Sequence, residues 1–201
     1  QQHPTADGGN IVKREWFKHI SRAEFDMLHH GEPIIFFIDT AYTDKTANDP
    51  SGILATCKIG NDLYLVHGQK VYKKFPDFIR FLPEYVKAQG YTARSSIRIE
   101  PKANGISVID QIMDVTALNV TRTPSPSDSK ETRLNAASPC VECGRVIVVD
   151  GAWNEEFIEE VCGFPVKPHD EYVDCLCYAV DYHLTSPFKP IDRDRMARIV
   201  H

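Results

Sequence analysis

Apolar residues run unbroken from Ile34 to Ile38 and stop at Asp39. A run of that length, partly β-branched, predicts a central strand buried on both faces. The segments Ile53 to Ile59 and Leu63 to Val71 flank Gly60-Asn61-Asp62, which predicts a hairpin. Apolar residues at Phe75, Phe78, Ile79, Leu82, Tyr85 and Val86 recur at helical spacing, and Gly90 lies just past them. Pro83 inside that helix predicts a kink. Further on, the pattern predicts a short strand over Ser96 to Glu100, a helix over Ala103 to Met113 and a short strand over Leu118 to Thr121. Thr123 to Ser129, rich in Ser and Pro, reads as a surface loop. Ser127 or Asp128 is placed to cap the next helix, which carries Lys130, Glu131 and Arg133. A strand over Arg145 to Val149, a helix over Glu155 to Cys162 capped by Asn154, and a last helix over Asp170 to Leu184 complete the series. A strand meander followed by alternating helices and strands predicts an α/β domain. Its sheet is mixed, with helices on both faces and mostly parallel ladders after the hairpin.

Composition narrows the class. The 201 residues are 42% hydrophobic and 25% charged, which suits one globular domain. No run approaches the roughly 18 apolar residues needed to span a bilayer, so no membrane partner is expected. Residues 1–14 lack hydrophobic periodicity and carry Gly8-Gly9-Asn10, so they read as a linker or tail. The domain is expected over 15–186, followed by a tail over 187–201. A net charge of −5 argues against a free-standing nucleic-acid binder with a broad basic face. It leaves room for an enzyme whose acidic site takes metal. Six cysteines raise the question of zinc, but only Cys140-Val141-Glu142-Cys143 has suitable spacing and no second pair accompanies it. Cys175 and Cys177, two apart in a helix, point to different faces. Zinc is not expected.

The chemistry lies in three acidic islands. Asp39 closes the central strand. Glu100 closes the Ser96-Ile97-Arg98-Ile99 strand and leads into Pro101-Lys102-Ala103-Asn104-Gly105. His169-Asp170-Glu171-Tyr172-Val173-Asp174 opens the last helix. Any one of these acids has an ordinary reading as a turn residue or a complement to a helix dipole. Together, at strand mouths and a helix start, they suit carboxylates converging on divalent cations. Asp170 and Asp174 are four apart and share a helix face, as do Glu171 and Asp174 at three apart, so cations are needed to neutralise them.

In order along the chain, strand-Asp39, the hairpin, Glu100-Pro101-Lys102-Ala103-Asn104-Gly105, Lys130-Glu131-Thr132-Arg133, Cys143-Gly144-Arg145-Val146 and His169-Asp170-Glu171-Tyr172-Val173-Asp174 together resemble the nuclease domain of the large terminase subunit of tailed bacteriophages. That family belongs to the ribonuclease-H-like superfamily. The resemblance implies a mixed five-stranded-type central sheet with helices on both faces. It implies a metal-dependent endonuclease that cuts double-stranded viral DNA during packaging, using two Mg²⁺ or Mn²⁺ ions. By position it implies Asp39, Glu100, Asp170 and Asp174 as catalytic metal ligands, with Glu171 close behind. It also implies Lys102, Asn104, Lys130, Arg133 and Arg145 near the DNA. The family often has Asp where Glu171 stands and a small residue where Cys175 stands. No Gly-x-x-x-x-Gly-Lys-Ser/Thr stretch occurs, so the packaging ATPase domain is expected elsewhere, with the linker-like start suggesting an excised domain. Portal and small terminase subunit are the implied partners, and the cytoplasm of an infected bacterium the implied location. A junction resolvase-like nuclease and a non-catalytic DNA-docking module are the competing readings.

Overall fold

The computed structural model describes residues 10–40, 50–100, 105–124 and 126–186. Its strands are β1 (Lys18–Ile20), β2 (Ile35–Asp39), β3 (Ser51–Ile59), β4 (Asp62–Val71), β5 (Ser96–Ile99), β6 (Val120–Arg122) and β7 (Val146–Val149). Its helices are α1 (Arg22–Leu28), α2 (Phe75–Ala88), α3 (Gly105–Val115), α4 (Lys130–Glu142), α5 (Asn154–Gly163) and α6 (Glu171–Val180). The seven strands form one sheet in the order β1-β7-β4-β3-β2-β5-β6. β3 is antiparallel to both β2 and β4, and every other ladder is parallel. All strands except β3 therefore point the same way, and their C-terminal ends share one edge of the sheet. The hydrophobic pattern predicts six of these strands, β2 to β7, and the run β4-β3-β2-β5-β6 corresponds to the expected five-stranded sheet. β7 and β1 extend it beyond β4.

Alternation along each strand builds two cores. Ile35 and Phe37 of β2, Leu54 of β3, Leu63 and Leu65 of β4, and Val146 and Val148 of β7 pack against α4, α5 and α6. Their neighbours Phe36, Ile38, Ile53, Ala55, Tyr64, Val66, Ile147 and Val149 pack against α1, α2 and α3. A period of two on a sheet covered on both sides leaves every β2 residue buried. The first core also takes in Val12, which is fully buried, with Ile11 against it.

The hairpin forms as expected, while several other local features differ. The predicted hairpin closes through Gly60, with φ of +61°, and Asn61. α2 continues through Pro83 as one element. Ser129, rather than Ser127 or Asp128, caps α4, its hydroxyl accepting the Thr132 N–H at 3.2 Å. Asn154 does not cap α5. Its side chain spans the preceding loop, accepting from Gly151 N–H at 2.7 Å and donating to the Val149 carbonyl at 3.1 Å. The last helix ends at Val180 and passes into a π-helical turn over Asp181–Thr185. β1 and α1 are absent from the hydrophobic reading. β1 carries no apolar alternation and exists through its pairing with β7. α1 does carry a signal, the capping box of Ser21 with Glu24, in which Ser21 N–H donates to the Glu24 carboxylate at 2.7 Å.

Two glycines make room on the sheet, Gly52 for α6 and Gly68 for the Trp153 ring just before α5. A Cβ on Gly52 would lie 2.7 Å from the Glu171 Cβ, and one on Gly68 would lie 2.6 Å from the Trp153 ring. Gly52 is the ladder partner of Asp39. The missing side chain thus lets the first turn of α6 settle directly beside the end of β2.

Candidate active site

β2 and β5 are parallel neighbours with Ile38 opposite Ile99. The next residue of each strand segment, Asp39 and Glu100, therefore emerges at the same edge of the sheet. α6 crosses above them and delivers Asp174 from its first turn. One carboxylate oxygen from each of Asp39, Glu100 and Asp174 lies within 4.8 Å of the other two. Among the described residues, this is the only cluster of three or more His, Cys, Asp or Glu side chains placed to hold an ion. Asp39 and Asp174 are only 3% and 1% exposed, and Glu100 is half-buried. Ligands at the C-terminal edge of parallel strands are a general feature of α/β sheets, because the loops there are free to vary.

The surroundings hold these acids in place. Tyr178, one helical turn after Asp174, donates its hydroxyl hydrogen to Glu100 Oε2 at 2.6 Å. Burial, followed by this bond to a carboxylate, pushes the Tyr178 hydroxyl well above its usual pKa, so it remains a donor. The Cys175 thiol, fully buried, donates to the Phe37 carbonyl at 3.4 Å and fastens α6 to β2. Burial, then the nearby Asp39 charge, raises its pKa far above the ordinary thiol value. Cys175 is thus an inert packing thiol in this setting.

Two cations reach the site from the first turn of α4. Lys130 Nζ lies 2.6 Å from Asp170 Oδ1 and 2.6 Å from Asp174 Oδ2. Arg133 Nη2 lies 2.5 Å from Asp174 Oδ1, and its guanidinium stacks 5.3 Å from the centre of the Tyr178 ring. Burial opposes the charge of Lys130, yet hydrogen bonds to Asp170 and Asp174 outweigh it and raise its pKa. The positive charge that the spacing of Asp170 and Asp174 demands is supplied here by side chains.

The ten residues singled out in the sequence separate clearly. Asp39, Glu100 and Asp174 come together. Asp170 stands at the N-cap position of α6, outside the three-acid cluster, on its ion pair with Lys130. Glu171 turns toward Lys70, 3.3 Å away, and His169, 3.4 Å away. Lys130 and Arg133 face Asp174. Arg145 lies at the opposite edge of the sheet, before β7, where it donates to the Asn61 carbonyl of the hairpin turn at 2.6 Å and 3.1 Å. Lys102 and Asn104 lie outside the described residues. Tyr178 and Cys175 were not singled out as supports. Tyr178 had a readable signal, since it is four residues after Asp174 and so on the same helix face.

A family model described as the terminase RNaseH-like domain matches residues 60–183. The chain belongs to this family. Solved terminase nucleases share its fold. The g2p (large terminase) nuclease domain of bacteriophage SPP1, solved with bound Mn, is 15% identical, with a TM-score of 0.57 over 85% of this chain and 98% of that one. The human cytomegalovirus terminase nuclease domain is 12% identical, with a TM-score of 0.59 over 86% and 96%. The large terminase nuclease of thermophilic phage G20c is 14% identical, with a TM-score of 0.55 over 76% and 83%. It has also been solved with bound zinc, cobalt and magnesium. No curated protein sequence matches this terminase domain.

Proposed function

We propose that this terminase domain is a metal-dependent endonuclease that cuts double-stranded viral DNA during genome packaging. The observation that carries this reading is the convergence of Asp39, Glu100 and Asp174 at the C-terminal edge of the sheet, with ligand atoms within 4.8 Å of one another. All three offer hard oxygen donors, which suit Mg²⁺ or Mn²⁺. The cluster already draws cations, since both Asp174 oxygens are met by Lys130 and Arg133. The donor set therefore fits a divalent site, and the metal-bound relatives support it.

Asp39, Glu100 and Asp174 would hold the metal, with Asp170 adjacent on the same helix face. Divalent ions held there would supply Lewis-acid activation of water and stabilisation of the leaving 3′ oxygen. The protein's own part is positional. Asp39 is fixed by its place in the β2 ladder, and Tyr178 fixes one oxygen of Glu100. Burial of Asp39 and Asp174 keeps bulk water from their carboxylates and strengthens their electrostatic reach. In the packaging machine the domain works beside an ATPase domain, the portal and the small terminase subunit, in the cytoplasm of the infected bacterium.

The test is cleavage of supercoiled plasmid by the purified chain with Mg²⁺ or Mn²⁺, with and without chelator. Nicked and linear products that require the metal are expected. A well-folded preparation with no metal-dependent cleavage would refute the reading and leave a DNA-docking module in its place.

A further inference from the structure

The cations on Asp174 are unusual in where they come from. Lys130 and Arg133 sit at the start of α4, on a different element from the acids, and one turn of that helix brings both to a single carboxylate. Each Asp174 oxygen has one of them, at 2.6 Å and 2.5 Å. A divalent ion takes a carboxylate oxygen at about 2.1 Å, so it would stand directly against an ammonium and a guanidinium on the same group. Like charges at that range in a buried setting repel strongly.

The arrangement is also incompletely satisfied. Arg133 Nε and Nη1 are buried without a hydrogen-bond partner in the protein. Buried guanidinium donors are normally all paired. Asp174 and the face of Tyr178 are what hold Arg133 here. Lys130 is freer, with 30% of its side chain exposed, so it has room to leave. A set of cations held on an acid but only partly satisfied has a second place to be, and near a nuclease site the nearest new anions are phosphates.

From this we infer that Lys130 and Arg133 form a removable cationic latch on Asp174 that competes with the metal. The latch lowers the affinity of the acid cluster for divalent ions while the protein waits. Metal loading displaces the two side chains, which then become free to pair with DNA phosphates. Metal and DNA thereby assist one another, because each stabilises the released state. The inference rests on the proposed metal-dependent nuclease reading and adds the regulation of that same site. It gives Lys130 and Arg133 a role before DNA arrives as well as beside it.

The experiment titrates the purified chain with MnCl₂, followed by calorimetry and by the electron paramagnetic resonance signal of free Mn²⁺. It compares the wild type, Lys130→Met, Lys130→Arg and Lys73→Met. Lys73 is an exposed lysine just past the end of β4, so its variant removes one positive charge without touching Asp174. Lys130→Met is expected to bind Mn²⁺ about tenfold more tightly than the wild type, the scale of an ordinary coupling between sites. Lys130→Arg is expected to stay near the wild type, and so is Lys73→Met. Unchanged or weaker binding by Lys130→Met, when the wild type binds, overturns the latch and makes Lys130 a simple support for Asp174. Equal tightening by Lys73→Met also overturns it, by reducing the effect to net charge. If no variant binds Mn²⁺ at all, the metal reading itself falls and the latch with it.

Discussion

The first turn of α6 sends acids into two buried charge clusters, and the contrast between them separates structure from chemistry. Glu171 turns toward Lys70, whose ammonium lies 2.5 Å from Glu160 and 3.3 Å from Glu171. The side chains of Lys70 and Glu160 are 5% and 3% exposed. Glu160 also accepts the Tyr172 N–H at 2.6 Å, tying α5 to α6. Burial raises the pKa of Glu160 even against the pull of Lys70, and that pull in turn raises the lysine's pKa despite its own burial. This cluster is built around a cation from a strand interior, and leaving it would mean unfolding the packing around β4. Asp174, three residues along, looks instead toward Asp39 and Glu100, and its cations arrive from a helix start where one of them is still partly in water. Both clusters bury acids against basic side chains. A permanent cation makes the first a joint of the fold, whereas a displaceable one keeps the second available to metal.

The sharpest test of that division is Asp39→Asn. It removes a shared oxygen ligand while keeping the shape of the side chain, so metal-dependent plasmid cleavage is expected to fall by about a thousandfold or more. Repulsion among the remaining acids falls too, so the melting temperature should hold or rise. Retained Mn²⁺-dependent nicking by this variant would remove Asp39 from the site.

Lys70→Met should have the opposite profile. Stranding Glu160 and Glu171 in the interior is expected to cost about 3 kcal/mol of stability, read by urea denaturation, with Mn²⁺ affinity unchanged in the fraction that is folded. A stable Lys70→Met protein would mean that the first cluster is no joint.

A pH scan probes the helix that serves both clusters. His183, in the turn after α6, faces Thr56 Oγ1 at 3.0 Å, and the Thr56 hydroxyl already donates to the Ile35 carbonyl at 2.9 Å. His183 is therefore the donor, through Nε2–H. Burial, then the nearby Lys58 and Arg98, lowers its pKa from 6.5 to about 3. A depressed histidine contributes stability that is present above pH 6.5 and is lost as the pH falls toward 3. At pH 4 the loss from this group is expected to be about 3 kcal/mol. His183→Leu should flatten the fall in melting temperature between pH 7 and pH 4. An unchanged slope would exclude His183 as its source.

The smallest effect is expected from the cysteines nearest to a zinc motif. Cys143 is exposed and Cys140 half-buried, and neither belongs to the acid clusters. Changing both to alanine should alter stability by about 1 kcal/mol or less and leave cleavage intact. Stoichiometric zinc by elemental analysis, or unfolding on chelation, would reverse that expectation.

Much of this molecule was legible before any coordinates. The buried run ending at Asp39, the Gly60-Asn61 hairpin and the helical spacing of α2 each encode their element locally, because backbone geometry sets a period of two or of 3.6 that burial then enforces. The acids that meet, Asp39, Glu100 and Asp174, were among those singled out, since each stands at the end of such an element. Tertiary structure decided the rest. β1 is a strand only because β7 offers it a ladder, and nothing in Lys18-His19-Ile20 states that. Whether Asp170, Glu171 or Asp174 joins the cluster depends on the rotation of α6, whose first turn settles against the sheet at Gly52. Arg145, implied near the DNA by resemblance, sits at the edge of the sheet opposite the three acids. Lys130 and Arg133, also implied near the DNA, meet Asp174 through the packing of α4 beside α6. Periodicity and punctuation are properties of a few neighbouring residues, so sequence carries them. Which charges finally face one another is a property of elements far apart in the chain, and only their packing determines it.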